Sequence, residues 1–148
     1  MIRKWLKRFF IGIAVALVFA QFVPYGRDHS NPSARIEPVW DSSRTRELAR
    51  RACFDCHSNE TIWPWYSHVA PVSWLLQSDV DEGRATMNFS EWNREYSEAK
   101  EASKEVEENE MPMWAYTVTH AEARLSNEEK AALMRGLDAT LGHSEVAK

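Results

Sequence analysis

The sequence predicts a small all-α domain that follows an N-terminal helix. Apolar residues recur at helical spacing in several segments, most clearly near the C-terminal end, where Leu133, Leu137 and Leu141 share one face. No segment has a strong alternation of apolar and polar residues, which is the pattern of a half-buried strand. The length of 148 residues fits one such domain, and we expect it over residues 41–142, with a short tail at 143–148.

The N-terminal segment predicts a signal anchor. Four basic residues within the first eight positions precede an apolar run over residues 9–20. A cleaved signal peptide is the alternative, but the nearest match to a small-x-small cleavage site, Val18-Phe19-Ala20, has valine in its first small position. Counted over residues 5–23, with its cationic side chains reaching outward, the stretch is long enough to span a bilayer. We therefore expect an uncleaved transmembrane helix at 1–24, with its basic end in the cytoplasm and the following chain exported.

Residues 25–40 contain many polar residues and two prolines, and they predict a tether between this helix and the domain. The formal net charge of the whole chain is −4. Beyond the basic N-terminus, residues 27–148 carry 14 basic and 22 acidic side chains, a net charge of −8. This excess of acidic groups argues against nucleic acid as a partner.

The most specific motif is Cys53-Phe54-Asp55-Cys56-His57, a C-x-x-C-H sequence that is typical of c-type haem attachment. In a helical segment, Cys53 and Cys56 lie about one turn apart on one face, so their sulfurs can form two thioethers to one porphyrin. His57 follows directly and can bind the iron as proximal ligand. Both cysteines of the chain belong to this motif, which therefore predicts one covalently bound haem c per chain.

Three other uses of the cysteine pair remain open at this point. A redox dithiol is typical of a βαβ context, and the sequence shows no strong β pattern. A structural zinc ion would need two of the histidines, which are scattered in sequence rather than paired at short spacing. The histidines that come into question are His57, His68, His120 and His143. A plain disulfide is the third alternative.

The haem motif is expected at the C-terminal end of a helix over residues 43–52, whose buried face would hold Leu48, Ala49 and Ala52. Further helices are expected from Pro71 to about Gly83, from Ser90 to about Tyr96, from Glu98 to about Glu110, and from the capping box Ser126–Glu129 to Gly142. The last helix would pack against the first, as terminal helices do in small c-type cytochromes. The helix from Glu98 is acidic with a thin apolar stripe, which predicts a solvated surface helix.

The second axial position of the iron calls for another ligand. A methionine thioether favours ferrous iron and is the common partner of histidine in electron-transfer cytochromes c. Met111 lies 54 residues after His57, in a loop that Pro112 fixes, and that loop can fold over the distal face. Met113, His68, His120 or an open position are the alternatives.

Longer motifs surround these residues. They are Arg51–Thr61, Trp63–Tyr66, Val69–Trp74, Asn88–Trp92, Glu110–Pro112 with Trp114, and Ala123–Ser126. With them the chain resembles the bacterial membrane-anchored, single-haem proteins of the haem-binding domain family, a cytochrome c-like group, from the N-terminal helix to about Leu141. The resemblance implies an all-α domain on the outer face of the membrane, with Cys53, Cys56 and His57 as attachment and proximal residues and Met111 as distal ligand. Two residues depart from the expected pattern: Met113 stands where we expect proline, and His68 adds a histidine close to the haem.

The function predicted from these features is one-electron transfer by a haem protein rather than an enzyme. We expect it in the bacterial inner membrane as a single-pass protein, with the haem domain facing the periplasm or cell exterior. Electron transfer of this kind calls for a redox partner protein. The alternative is a haem-based sensor or a peroxidase-like enzyme with an open or displaceable distal site, in which His68 would act as distal base.

Overall fold

The structure is a computed structural model that describes residues 2–142 of the chain. These residues form helices and no strand, as predicted, with one isolated parallel bridge between Ile36 and Glu91. The α-helices are α1 (Ile2–Ala20), α2 (Ser43–Ala52), α3 (Phe54–His57), α4 (Val72–Thr86), α5 (Ala102–Glu107), α6 (Trp114–Thr119) and α7 (Asn127–Leu141). Short 3-10 helices cover Trp65–His68, Ser97–Glu101 and Ala121–Ala123. The predicted tail and His143 lie outside the described residues.

The chain divides into two compact units. Of the described residues, the first unit comprises 2–30 together with 63–79, and the second comprises 31–62 together with 80–142. The C-x-x-C-H motif belongs to the second unit. Helix α4 contributes its beginning to the first unit and residues 80–86 to the second.

Helix α1 forms where the sequence predicted a helix, and none of its residues is buried. No helix within residues 2–142 is long and apolar enough to cross a membrane, so the predicted transmembrane helix at 1–24 is not supported. The reason lies in the basic residues, which occupy the first two turns of α1. The uncharged remainder, residues 9–20, spans only about 18 Å at ~1.5 Å per residue, against a hydrocarbon core of ~30 Å.

Helix α2 forms over the predicted residues. Its N-cap is Ser42, whose hydroxyl oxygen accepts the N–H of Thr45 at 3.1 Å and so satisfies one of the free amides of the first turn. The three predicted apolar residues, Leu48, Ala49 and Ala52, are all buried. The haem motif begins at the residue that follows this helix, so α2 fixes where the motif lies.

Helix α7 begins with the predicted capping box, in which Ser126 and Glu129 exchange hydrogen bonds between side chain and backbone. It packs against α2, as expected. Where the two helices cross, Gly136 lies so close to the side chain of Thr45 that a Cβ atom at position 136 would clash with it. The two helices are also joined by an ion pair in which Arg51 Nη1 lies 2.7 Å from Glu129 Oε1.

Helix α4 was expected to end near Gly83 but continues to Thr86. Gly83 is therefore a residue inside the helix, and its role is one of close approach. A Cβ atom at this position would lie 2.6 Å from the carbonyl oxygen of Cys56, which is closer than Cβ atoms come to non-bonded heavy atoms in proteins. The absence of a side chain lets α4 contact the backbone of the haem motif.

Two predicted helices differ in the structure. The helix expected from Ser90 to Tyr96 does not form, because this backbone pairs with another segment: Ile36 donates its N–H to Ser90 O at 2.8 Å, and Trp92 donates to Ile36 O at 2.7 Å. The helix expected from Glu98 begins as a 3-10 helix and ends at Glu107. The loop expected from Met111 to Tyr116 is shorter, since α6 begins at Trp114.

The residues just before α2 make defined contacts in the second unit, although they lie in the segment predicted as a tether. The ring of Trp40 packs against Phe89 and Phe54, with centroid distances of 5.1 and 6.3 Å. Glu37 accepts two hydrogen bonds from the guanidinium of Arg46, at 2.6 and 2.7 Å. These contacts fix the entry of the chain into α2.

Candidate haem-binding site

A cavity lies in the second unit. It is lined by the haem motif, the end of α4, α5 with the 3-10 helix before it, and the loop before α6. The space that no protein atom fills is about 770 Å³, including the part open to solvent. The side chains that matter for its chemistry are Cys53, His57, Met87, Phe89, Val106 and Met111.

His57 is held as a metal ligand needs to be. Its Nδ1 lies 3.1 Å from the carbonyl oxygen of Met87, to which it can donate a proton. Burial lowers the pKa of His57, although the bonds to backbone carbonyls act in the opposite direction, so the imidazole is neutral at pH 7. A neutral imidazole that carries its proton on Nδ1 has its lone pair on Nε2, where it can bind iron.

The backbone that orients His57 is itself fixed by the segment after α4. Phe89 donates its N–H to the carbonyl of His57 at 2.8 Å. The side-chain amide of Asn88 donates to the side-chain oxygen of Asn59 at 2.8 Å, and both amides are buried. Buried amides of this kind are costly unless paired, so the pair holds the two segments in one register.

The two cysteines lie at the junction of α2 and α3. Cys53 is the residue between these helices, with a φ of −128° that is outside the helical range, and its carbonyl oxygen accepts the N–H of His57 at 2.9 Å. Cys56 lies within α3. Cys53 lines the cavity and Cys56 does not, so the structure brings one of the two predicted attachment residues to it. Neither thiol is in a disulfide.

The structure gives no support to the other uses of the cysteine pair. Burial, and then the neighbouring Cys56, raise the pKa of Cys53 to about 12, whereas a redox dithiol needs a thiolate near neutral pH. Within residues 2–142, no three side chains among His, Cys, Asp and Glu are grouped so that they could hold a metal ion, as a zinc site would require.

Met111 lines the same cavity as His57. Its N–H donates to the carbonyl of Glu105 at 3.1 Å, which ties the loop to α5. Of the alternative distal ligands, Met113 and His120 are not part of the lining. His68 lies in the first unit, where its ring contacts that of His29 at 4.4 Å between centroids.

Two contributions to the cavity were missed by the sequence analysis. The acidic segment predicted to be solvated lines it with Ala102, Val106 and three glutamates, Glu98, Glu101 and Glu105. The sequence of this segment signalled a buried side only by its thin apolar stripe. A helix on the protein surface has a stripe of the same kind, so the pattern could not distinguish the two. The other contribution is the carbonyl of Met87, since a backbone acceptor has no signature in the residue type.

These groups can be tested against haem. An apolar cavity offers a neutral imidazole with a free nitrogen, a cysteine of a C-x-x-C-H motif and a thioether, and soft and imidazole donors of this kind are those that haem iron takes. The residues that line the cavity therefore fit haem, and they are those expected of a haem-binding domain.

The comparison with known families agrees. Residues 15–139 match the family described as the haem-binding domain. The chain therefore belongs to the haem-binding domain family, and haem is its cofactor. No curated protein and no solved structure matches the chain.

Proposed function

We propose that this protein is a one-electron carrier of the c type, with haem attached through Cys53 and Cys56 and held between His57 and Met111. The observation that carries the proposal is that His57 and Met111 line one cavity together with Cys53. The packing of α2 against α7 supports a cytochrome c-like domain, in which terminal helices are expected to pack in this way.

Haem supplies a one-electron couple between ferric and ferrous iron when it is bound. The chain would hold the iron through the neutral imidazole of His57 and the soft thioether of Met111, and these two ligands together would leave no iron position for a substrate. A carrier needs no more than this, whereas a sensor or a peroxidase needs one side open.

The basic and then apolar N-terminal segment is of the kind that directs export. This supports a location outside the cytoplasm, where we also expect a redox partner protein. The acidic balance of residues 27–148 favours a partner surface of positive charge.

The proposal is tested by absorption spectra of the haem-loaded full chain, oxidised and dithionite-reduced, with Met111→Ala and Met113→Ala as a matched pair. We expect the wild type to show the weak near-infrared band of methionine-ligated ferric haem. Met111→Ala should lose this band and bind carbon monoxide when reduced, because its thioether is gone. Met113→Ala should keep the wild-type spectrum.

Two outcomes would contradict the proposal. A high-spin wild type that binds cyanide or peroxide at once would favour the sensor or peroxidase alternative. Haem that is removed by acidic organic solvent would show that Cys53 and Cys56 are not attached to it.

A further inference from the structure

We infer that Tyr116 is a positioning residue for Met111, and that it acts through a hydrogen bond to Asp55 inside the C-x-x-C-H motif. The inference rests on the proposed function in one respect, the assignment of Met111 as iron ligand. It adds to that assignment the device that keeps the loop of Met111 in place relative to the motif.

The acceptor of this hydrogen bond is held from its own side of the molecule. Asp55 Oδ1 accepts the N–H of Ile62 at 3.0 Å, and the main-chain oxygen of Asp55 accepts the hydroxyl of Thr61 at 2.6 Å. Its other carboxylate oxygen, Oδ2, accepts the phenol O–H of Tyr116 at 2.8 Å. The carboxylate is therefore a fixed point, and Tyr116 reaches it from 61 residues further along the chain.

The donor is constrained as well. The ring of Tyr116 stacks on His120, with centroids 4.1 Å apart and planes 19° apart. Burial, and then the carboxylate of Asp55, raise the pKa of Tyr116 well above its usual range, so the phenol remains a donor. A hydrogen bond from a neutral phenol to a carboxylate is among the stronger ones in proteins.

Helix α6 has little else to hold it. It is six residues long and none of its residues is buried. Trp114 is 78 % exposed and Val118 61 % exposed, so apolar packing contributes little to its position. The guanidinium of Arg124 binds the carbonyls of Thr117 and Val118, but these contacts lie within the same stretch of chain. The bond from Tyr116 to Asp55 therefore joins α6 to the haem motif where apolar packing does little.

The loop of Met111 ends where α6 begins. At one side, the N–H of Met111 is bound to the carbonyl of Glu105. At the other side, the carbonyl of Met113 accepts the N–H of Thr117 at 3.1 Å, in the first turn of α6. With both ends fixed, the backbone of Met111 is held in one position beside the cavity. Without the phenol O–H, the α6 end of the loop loses its hydrogen bond to the haem motif.

The experiment compares Tyr116→Phe with Tyr96→Phe in the haem-loaded full chain. Tyr96 is a matched control, since its hydroxyl makes a long bond of 3.4 Å to a backbone carbonyl in the same unit. We expect cyanide to bind ferric Tyr116→Phe about tenfold faster than the wild type, because the lost bond to a carboxylate makes Met111 easier to displace. Amide hydrogen exchange over residues 111–117 should also become faster. Tyr96→Phe should resemble the wild type in both measurements.

The outcomes separate the inference from the proposed function. If the wild type shows methionine ligation but Tyr116→Phe binds cyanide at the wild-type rate, Tyr116 does not position Met111 and the proposed function stands. If the wild type shows no methionine ligation, both are wrong. A merely structural tyrosine would lower the unfolding midpoint without changing the cyanide rate at lower temperature. Should Tyr116→Phe not load haem, Asp55→Ala removes the acceptor instead, and unchanged cyanide binding in that variant would overturn the inference.

Discussion

At the scale of single residues, position 83 shows how little space separates α4 from the haem motif. Gly83→Ala would place a methyl group 2.6 Å from the carbonyl oxygen of Cys56 and 3.0 Å from its Cβ. Overpacking of this kind costs about 1–3 kcal/mol, and alanine regains at most about 1 kcal/mol of helix propensity. Because the methyl group would meet backbone atoms, the cost lies at the upper end of this range, and we expect urea unfolding of the haem-loaded chain to show a net loss of about 2 kcal/mol.

The control for this substitution is Gly12→Ala, in α1, where no atom lies within 4 Å of the new methyl group. Its stability should not fall. If Gly83→Ala proved as stable as Gly12→Ala, the contact with Cys56 would not limit the residue at this position.

The chemistry of the candidate site was predictable only where it lies in side chains. The spacing of C-x-x-C-H indicated Cys53, Cys56 and His57, and a proline-fixed loop indicated Met111. The structure brings all of these except Cys56 to one cavity. The orientation of His57 depends instead on the carbonyl of Met87, and every residue has a carbonyl, so no residue type could reveal it.

At the scale of elements, the contact between α2 and α7 has a charged component that depends on pH. The hydrogen bond from Arg51, first, and the backbone of Ser126 lower the pKa of Glu129 to about 2 from 4.5. Because the folded pKa lies below the unfolded one, this stabilisation is present above pH 4.5 and is lost as the pH falls toward 2. Thermal unfolding of Glu129→Gln should therefore show a lower midpoint than the wild type near pH 7, with the difference vanishing near pH 2.

Glutamine at position 129 can still complete the capping box, so this substitution isolates the charge. Glu47→Gln is the control, because Glu47 pairs with Arg44 in a more exposed ion pair on α2. The side chains of Arg44 and Glu47 are 49 % and 57 % exposed, whereas those of Arg51 and Glu129 are 29 % and 21 % exposed. A difference that is constant with pH would show that Glu129 does not act through its charge.

Helices with their own start signals were the ones that the sequence located well. Ser42 caps α2, and the Ser126–Glu129 box begins α7, so both follow from local chemistry. The segment after Ser90 has a similar signal but pairs with Ile36 instead. A contact between residues so far apart in sequence overrides a local preference, and no local pattern records it. For α6, the bond from Tyr116 is again a distant contact.

At the scale of the whole molecule, the cavity makes the second unit dependent on its cofactor. A truncated core side chain alone costs about 2–5 kcal/mol, and a porphyrin is larger than any side chain. We expect the haem-free chain to be less stable than the haem-loaded chain by at least about 3 kcal/mol in urea unfolding. It should also bind a hydrophobic dye, because the apolar lining is exposed. Equal urea midpoints would show that the cavity is not the centre of the fold.

The close contact at Gly83 also bears on the order of events in maturation. In the folded chain, α4 lies against the backbone of Cys56 with no space for even a methyl group. Cys53 already lines the cavity, whereas Cys56 does not. Under the proposed attachment, both sulfurs must meet the porphyrin. We therefore expect the bond to Cys56 to form before α4 docks, with attachment first and closure afterwards.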